Sequence, residues 1–189
     1  VCLPTGLGKT NIAILVAAAR LEQFPSSQIL VLAPTKPLVS QHCHSFARFM
    51  ALEKQQLQAI TGTVPAEKRQ ALYAAQVIFA TPQTIQNDLE QKVCSLEDFS
   101  LLIIDELHHA VGNYAYPFIA QEYLKQATQP RILGLTASPG GTSLKIKEIC
   151  DNTGIEAVEI RTEKDLYVAP YLQEKNVQWE YVELPESFL

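Results

Sequence analysis

Short apolar runs alternate along this chain with stretches whose apolar residues return every three or four positions. Gln28–Ala33, Leu57–Ile60, Val77–Ala80, Leu101–Ile104 and Arg131–Leu135 are apolar runs bounded by Pro, Gly, Thr and Asp. Runs of that length and make-up predict strands, and the most continuous of them strands buried on both faces. From about Leu38 to Leu52, Val39, Cys43, Phe46 and Met50 recur at spacings of four and three. That spacing predicts an amphipathic helix that buries this stripe and turns His44 and Arg48 outward. Further helices are predicted from about Gly8 to Arg20, from Pro65 to about Tyr73, from Pro82 to about Glu90, and from about Ser143 to Cys150 with Gly154 as a stop. Another runs from about Pro117 to Gln126, with Ile119, Ala120, Tyr123, Leu124 and Ala127 on one side. Ile12 to Ala19 is apolar all round, which predicts a core helix. Ile155–Ile160 and Val177–Val182 alternate and predict two half-exposed strands, with a Pro170-containing linker between them. Trp179 and Tyr181, two apart on the second, are expected to pack on the domain rather than to stack on bases.

Strand–helix alternation of this kind predicts an α/β domain: a mostly parallel sheet with helices on both faces. A length of 189 residues with 47% hydrophobic content suits one compact domain plus a tail. The expected division is residues 1–142 as the nucleotide-binding domain, truncated at its first strand, and 143–189 as a helix, a strand and a linker. Val1-Cys2-Leu3 is shorter than a usual strand, so the chain is expected to be part of a longer protein. A net charge of −5 argues against a general polyanion-binding surface, and any nucleic-acid contact must then be local. The four cysteines are scattered, with no Cys-x-x-Cys pair, which points to an intracellular reducing compartment and no disulfide framework. His42-Cys43-His44 does not suit a metal ion, because residues two apart on a helix point in nearly opposite directions. No apolar stretch reaches the ~18 residues of a membrane span, so no membrane partner is expected.

Candidate chemistry begins at Leu3-Pro4-Thr5-Gly6-Leu7-Gly8-Lys9-Thr10. Gly6 and Gly8 permit a tight turn that brings N–H groups close to a polyphosphate, Lys9 supplies a charge for its outer oxygens, and Thr10 offers a hydroxyl to Mg²⁺. The helix that follows adds the positive end of its dipole. The strict P-loop pattern wants glycine at Leu3, but Thr-Gly-x-Gly-Lys-Thr is intact. At the end of the apolar run Leu101–Ile104 stand Asp105 and Glu106. If that run is a buried strand, both carboxylates emerge at its C-terminal edge, Asp105 suited to Mg²⁺ and Glu106 to orienting and deprotonating a water. Together the two motifs predict ATP hydrolysis, with ATP bound by Thr5, Gly6, Leu7, Gly8, Lys9, Thr10 and Asp105.

Pro34-Thr35-Lys36, Thr61-Gly62, Thr81-Pro82-Gln83 and Thr136-Ala137-Ser138 follow other predicted strands, and in an open α/β sheet all such loops converge on one face. With Asp105-Glu106-Leu107-His108 as a DExH box, the ordered set resembles the first RecA-like domain of superfamily-two helicases. Ala33-Pro34-Thr35-Lys36-Pro37-Leu38-Val39, Asn87-Asp88-Leu89 and Gly112-Asn113-Tyr114-Ala115-Tyr116 look like the archaeal Hef and eukaryotic FANCM family, and Ser138-Pro139-Gly140 and Pro170-Tyr171 are similar too. The resemblance implies an ATP-dependent DNA helicase or translocase acting on forked or branched DNA in repair. It also implies a second RecA-like domain in the full-length chain, without which this piece is expected to be inactive. It further implies that Lys9, Asp105, Glu106 and His108 serve catalysis, His108 linking the γ-phosphate site to Thr136 and Ser138. Thr35, Lys36, Gly62, Thr81 and Gln83 would touch the nucleic-acid backbone; read alone, Lys36 is also consistent with a merely solvated charge. The family usually has alanine at the place of Leu107 and Lys or Arg at that of His109. His-His here is similar to RNA-sensing relatives, so an RNA-activated DExH ATPase is the alternative.

Overall fold

In the computed structural model, which describes residues 1–138, 140, 142–171 and 178–181, the apolar runs join into a five-stranded, all-parallel sheet. Its strands are β1 (Gln28–Leu32), β2 (Leu57–Ile60), β3 (Val77–Ala80), β4 (Phe99–Asp105) and β5 (Ile132–Leu135), in the order β2-β3-β1-β4-β5. Central β1 fixes the register, with Leu30 opposite Ile78 on one side and Leu102 on the other. All seven residues of β4 are buried, as expected for a strand with parallel neighbours and helices on both faces.

The helices are α1 (Lys9–Gln23), α2 (Lys36–Phe49), α3 (Ala66–Leu72), α4 (Pro82–Glu90), α5 (Ala115–Gln126) and α6 (Ser143–Thr153). Because successive strand side chains point to opposite faces, the sheet divides the core in two. Ile29, Val31, Phe79, Leu101 and Ile103 meet Ala13, Ile14 and Ala17 of α1 and Val39 and Phe46 of α2. Leu30, Leu32, Ile78, Leu102 and Ile104 meet Ile85 of α4, Tyr116, Ile119 and Tyr123 of α5, and Ile149 of α6. Phe46 stands edge-on to Phe79 with ring centres 5.0 Å apart, fixing α2 over the sheet.

The segment at residues 1–3 runs beside β5: Leu3 N–H donates to Thr136 O at 3.1 Å and Thr136 N–H to Val1 O at 3.1 Å. The loop that follows therefore leaves from the same edge of the sheet as the carboxyl end of β4. That edge is where an open parallel sheet binds its ligands.

Several expectations need correction. The apolar run in α1 is not buried all round, since Leu15 is 69% exposed while the charged Arg20 is buried. The Arg20 guanidinium reaches under the sheet and donates to Ser100 O at 2.9 Å and Gln129 O at 2.7 Å, carbonyls that only a long donor can satisfy. In α2 the buried residues are Val39, His42 and Phe46, with Cys43 and Met50 only half-buried. Helix α5 begins at Ala115 and leaves Leu124 43% exposed. Residues 155–160 form no ladder; Ile160 makes one isolated bridge to Cys2, because the neighbour offered is the three-residue segment at 1–3. Trp179 and Tyr181 are 81% and 96% exposed and do not pack on the domain: without a partner strand among the described residues, alternation has no face to bury. Residues 177 and 182 of that expected strand, with Pro139 and Gly141, lie outside the described residues. No helix among the described residues is long and apolar enough to cross a membrane.

Candidate active site

Gly6 and Gly8 both take left-handed conformations, with φ of 84° and 81°. Residues with a Cβ reach that region only with strain, so the glycines make the turn affordable. Between them the chain doubles back and α1 starts at Lys9, where Asn11 and Ile12 N–H donate to Gly8 O at 2.9 and 3.2 Å. The loop closes round the Lys9 ammonium, which donates to Leu3 O at 2.9 Å and Pro4 O at 3.3 Å. Thr5 and Gly6 are exposed; Leu7, Gly8, Lys9 and Thr10 are half-buried. A Cβ at Gly6 would meet no atom within 4 Å, so open space lies before the turn. No acidic residue occupies the first turn of α1 to offset its dipole. Main-chain N–H groups, an ammonium, a helix N-terminus and open space are a donor set that fits a polyphosphate.

Asp105 ends β4 as a buried carboxylate. Its Oδ1 accepts from Glu106 N–H at 3.0 Å, and its Oδ2 lies 2.7 Å from His42 Nε2 on α2. Glu106 has φ 51° and ψ 49°, a left-handed conformation costing a non-glycine residue roughly 1–2 kcal/mol. That reversal turns the chain sharply from strand into a 3-10 turn at Leu107–His109 and sets the Glu106 carboxylate 3.3 Å from His108 Nδ1. His108 Nδ1 is also 3.0 Å from Thr136 Oγ1. The Thr136 hydroxyl has one proton, which it donates to Ser138 O at 2.8 Å; it therefore accepts from Ser138 N–H at 3.2 Å and from His108. That arithmetic puts a proton on Nδ1, and Glu106, His108, Thr136 and Ser138 become one connected chain. Gly134 makes room beside this turn: a Cβ there would run into the side chain of Leu107.

Behind this chain, Tyr116 O–H donates to Asp105 O at 2.7 Å. Burial first, then Tyr114 and the carboxylates of Asp105 and Glu106, raise the Tyr116 pKa and keep it a donor. Tyr114 stands edge-on to Tyr116 and stacks on His109, whose own ring lies against His108. Desolvation and the neighbouring His108 lower the His109 pKa. Because His109 packs on Tyr114 and His108, it serves as a spacer in this ladder.

The residues expected at nucleic acid occupy the carboxyl ends of β1, β2 and β3, along the same edge. Thr35 caps α2 and Lys36 begins it, both exposed. Gly62 follows β2 and is exposed, and Thr81 caps α4, with its Oγ1 2.8 Å from Thr84 Oγ1 and with exposed Gln83 beside it. These loops are tied together from below. Buried Arg69 of α3 donates from Nε to Asp88 Oδ2 of α4 at 2.8 Å, and its Nη1 bonds Val64 O, in the loop that carries Gly62. Tyr73 O–H completes the cluster at 2.7 Å from Asp88 Oδ2.

Sequence reasoning missed His42, Tyr116 and the Arg69–Asp88 pair. For His42 a signal existed: it lies three residues from Val39 and four from Phe46, on the buried stripe, where a polar side chain calls for a partner.

The DEAD/DEAH box helicase family model matches residues 1–146. The solved Hef helicase domain of Pyrococcus furiosus superposes with a TM-score of 0.89 at 51% identity, covering 98% of this chain and 39% of that one. A putative ATP-dependent RNA helicase of Methanocaldococcus jannaschii is 43% identical over 98% of the chain. The ATP-dependent DNA helicase fml1 of Schizosaccharomyces pombe is 40% identical over 97%, and the Fanconi anemia group M protein of Gallus gallus 37% identical over 98%. The chain spans only 24%, 22% and 9% of those three relatives. With a RecA-like fold, a glycine loop on the Thr136 edge, Asp105-Glu106-Leu107-His108 at the end of β4 and a family match over most of its length, the chain belongs to the DEAD/DEAH box helicases.

Proposed function

We propose that this chain is the ATP-binding motor domain of a DNA helicase or translocase that works on forked or branched DNA. The observation that carries the reading is the pairing of Leu3 with Thr136, which brings the Gly6–Thr10 loop to the sheet edge bearing Asp105 and Glu106. Lys9 would exchange its two loop carbonyls for phosphate oxygens, and the N–H groups of the Gly6–Thr10 turn would hold the phosphates. The Thr10 hydroxyl and the Asp105 carboxylate would hold Mg²⁺, which neutralises charge on the phosphate oxygens when bound. Glu106 would orient a water and take its proton, and His108 would pass the state of that carboxylate to Thr136 and Ser138.

Thr35, Lys36, Gly62, Thr81 and Gln83 would meet the nucleic-acid backbone with hydroxyls, an amide, one cation and main-chain N–H groups. These suit phosphate and sugar oxygens and ignore base identity, as a motor requires. Cationic fingers that neutralise the transition state would come from a second RecA-like domain outside this chain. The M. jannaschii relative is named an RNA helicase, which is the observation favouring the RNA-activated alternative.

ATP turnover by the full-length protein separates the two. Forked or single-stranded DNA should stimulate it strongly and double-stranded RNA should not, while the isolated 189-residue chain stays near background. Stimulation by RNA alone would transfer the proposal to the alternative. Failure of full-length protein to hydrolyse ATP with any nucleic acid would remove both.

A further inference from the structure

Asp105 is gripped from behind by another element. His42 reaches across from α2, and Nε2 lies 2.7 Å from Asp105 Oδ2, the two side chains being only 6% and 11% exposed. The other carboxylate oxygen accepts Glu106 N–H at 3.0 Å. With one bond to each oxygen from a fixed group, the carboxylate cannot rotate, and its remaining lone pairs point in set directions.

The second ring nitrogen of His42 supplies an independent observation. Nδ1 is buried and finds no hydrogen-bond partner among the described residues. Buried polar atoms are rarely left so. A leucine between Val39 and Phe46 would fill the space with no stranded atom, so packing does not account for an imidazole here. What the ring contributes is the bond from Nε2.

We infer that His42 is the positioning residue of the Mg²⁺ carboxylate: its Nε2–H fixes Oδ2 so that Asp105 offers its free lone pairs in one orientation. The inference rests on the ATP-hydrolysing reading of the site. With its ring buried and Nε2 committed to Asp105 Oδ2, His42 acts through Asp105. Its absence should therefore be felt by the metal and not by the nucleotide alone. Groups that orient a ligating carboxylate or imidazole in this way typically change metal affinity roughly 10- to 100-fold when removed.

The test uses the full-length protein saturated with a non-hydrolysable ATP analogue, with Mn²⁺ binding read by electron paramagnetic resonance and metal-free binding of a fluorescent nucleotide read separately. His42→Ala and His42→Phe remove the donor, the first leaving a void and the second filling it. His42→Gln keeps an N–H that can reach the same oxygen. The expected result is Mn²⁺ binding weakened roughly 10- to 100-fold in the Ala and Phe variants, near wild type in the Gln variant, with metal-free nucleotide affinity unchanged in all three. Folded Ala or Phe variants that bind Mn²⁺ like wild type would overturn the proposal, as would a Gln variant as weak as Phe. If neither donor-less variant folds, the bond is a folding contact and the positioning role falls. A wild-type protein that takes up no Mn²⁺ with its nucleotide would instead remove the ATP-site reading itself.

Discussion

Lys9 and Glu106 differ in what they contact, and the difference is measurable. Lys9 is held by two loop carbonyls, which it would exchange for phosphate oxygens on the proposed reading, whereas Glu106 stands at the head of the His108–Thr136 chain. Lys9→Ala in the full-length protein should weaken nucleotide binding. Glu106→Gln should keep binding and slow hydrolysis by roughly 10²–10⁴-fold, as loss of a positioned base does. Equal losses of nucleotide affinity in the two variants would contradict these roles. A second residue-scale expectation concerns pH. Burial pushes the Cys94 thiol up to about 11 from 9.0, with Asp88 adding to the rise and the Tyr73 hydrogen bond opposing it. The unfolded chain then releases this proton near pH 9 while the folded chain keeps it to about pH 11. Stability is therefore intact below pH 9 and falls as pH rises through that window. Denaturant midpoints from pH 8 to 10.5 should show the fall, and Cys94→Ala should flatten it; an unchanged slope would mean that the thiol ionises freely.

Among the elements, those that announced themselves did so through apolar runs too long for a loop. Strand β4 was legible because Leu101–Ile104 has no polar interruption, and the loop at Gly6–Thr10 because two glycines before Lys-Thr have few other uses. What stayed hidden depended on which element faces which. Nothing local to α2 says that its second buried position, His42, meets the end of β4, and nothing local to α3 says that Arg69 finds Asp88. The alternation at 155–160 misled for the complementary reason, since a strand exists only when a neighbour supplies a ladder. The Arg69–Asp88 pair gives the element-scale prediction. Asp88 has no exposed side-chain surface, so Asp88→Ala strands a buried guanidinium and should cost roughly 3–5 kcal/mol, a melting-temperature drop on the order of 10 °C. The double replacement Arg69→Met with Asp88→Leu should recover much of the loss in a thermal melt. If it melts as low as the single variant, the Val64 and Tyr73 contacts, and not the stranded charge, set the stability of this corner.

At the scale of the whole molecule, a chain of net charge −5 would, on the proposed reading, meet nucleic acid along one sheet edge with few cations. Its share of the salt dependence should be shallow: Lys36→Ala should reduce the slope of log K against log salt by at most about one unit, equally on two unrelated forked sequences. A defect confined to one sequence would contradict backbone tracking, and an unchanged slope would return Lys36 to a solvated charge. Helix α2 adds one consequence. It starts at Lys36, behind the capping Thr35, and roughly two turns on its His42 holds Asp105, so one helical rod would join the proposed nucleic-acid edge to that carboxylate. Binding free energies joined through such a rod obey reciprocity: the factor by which metal-bound nucleotide changes affinity for the strand equals the factor by which the strand changes affinity for metal-bound nucleotide. Severing the rod at His42 should drive both factors toward one together. A strand-binding defect would then surface from a substitution that no nucleic acid ever touches.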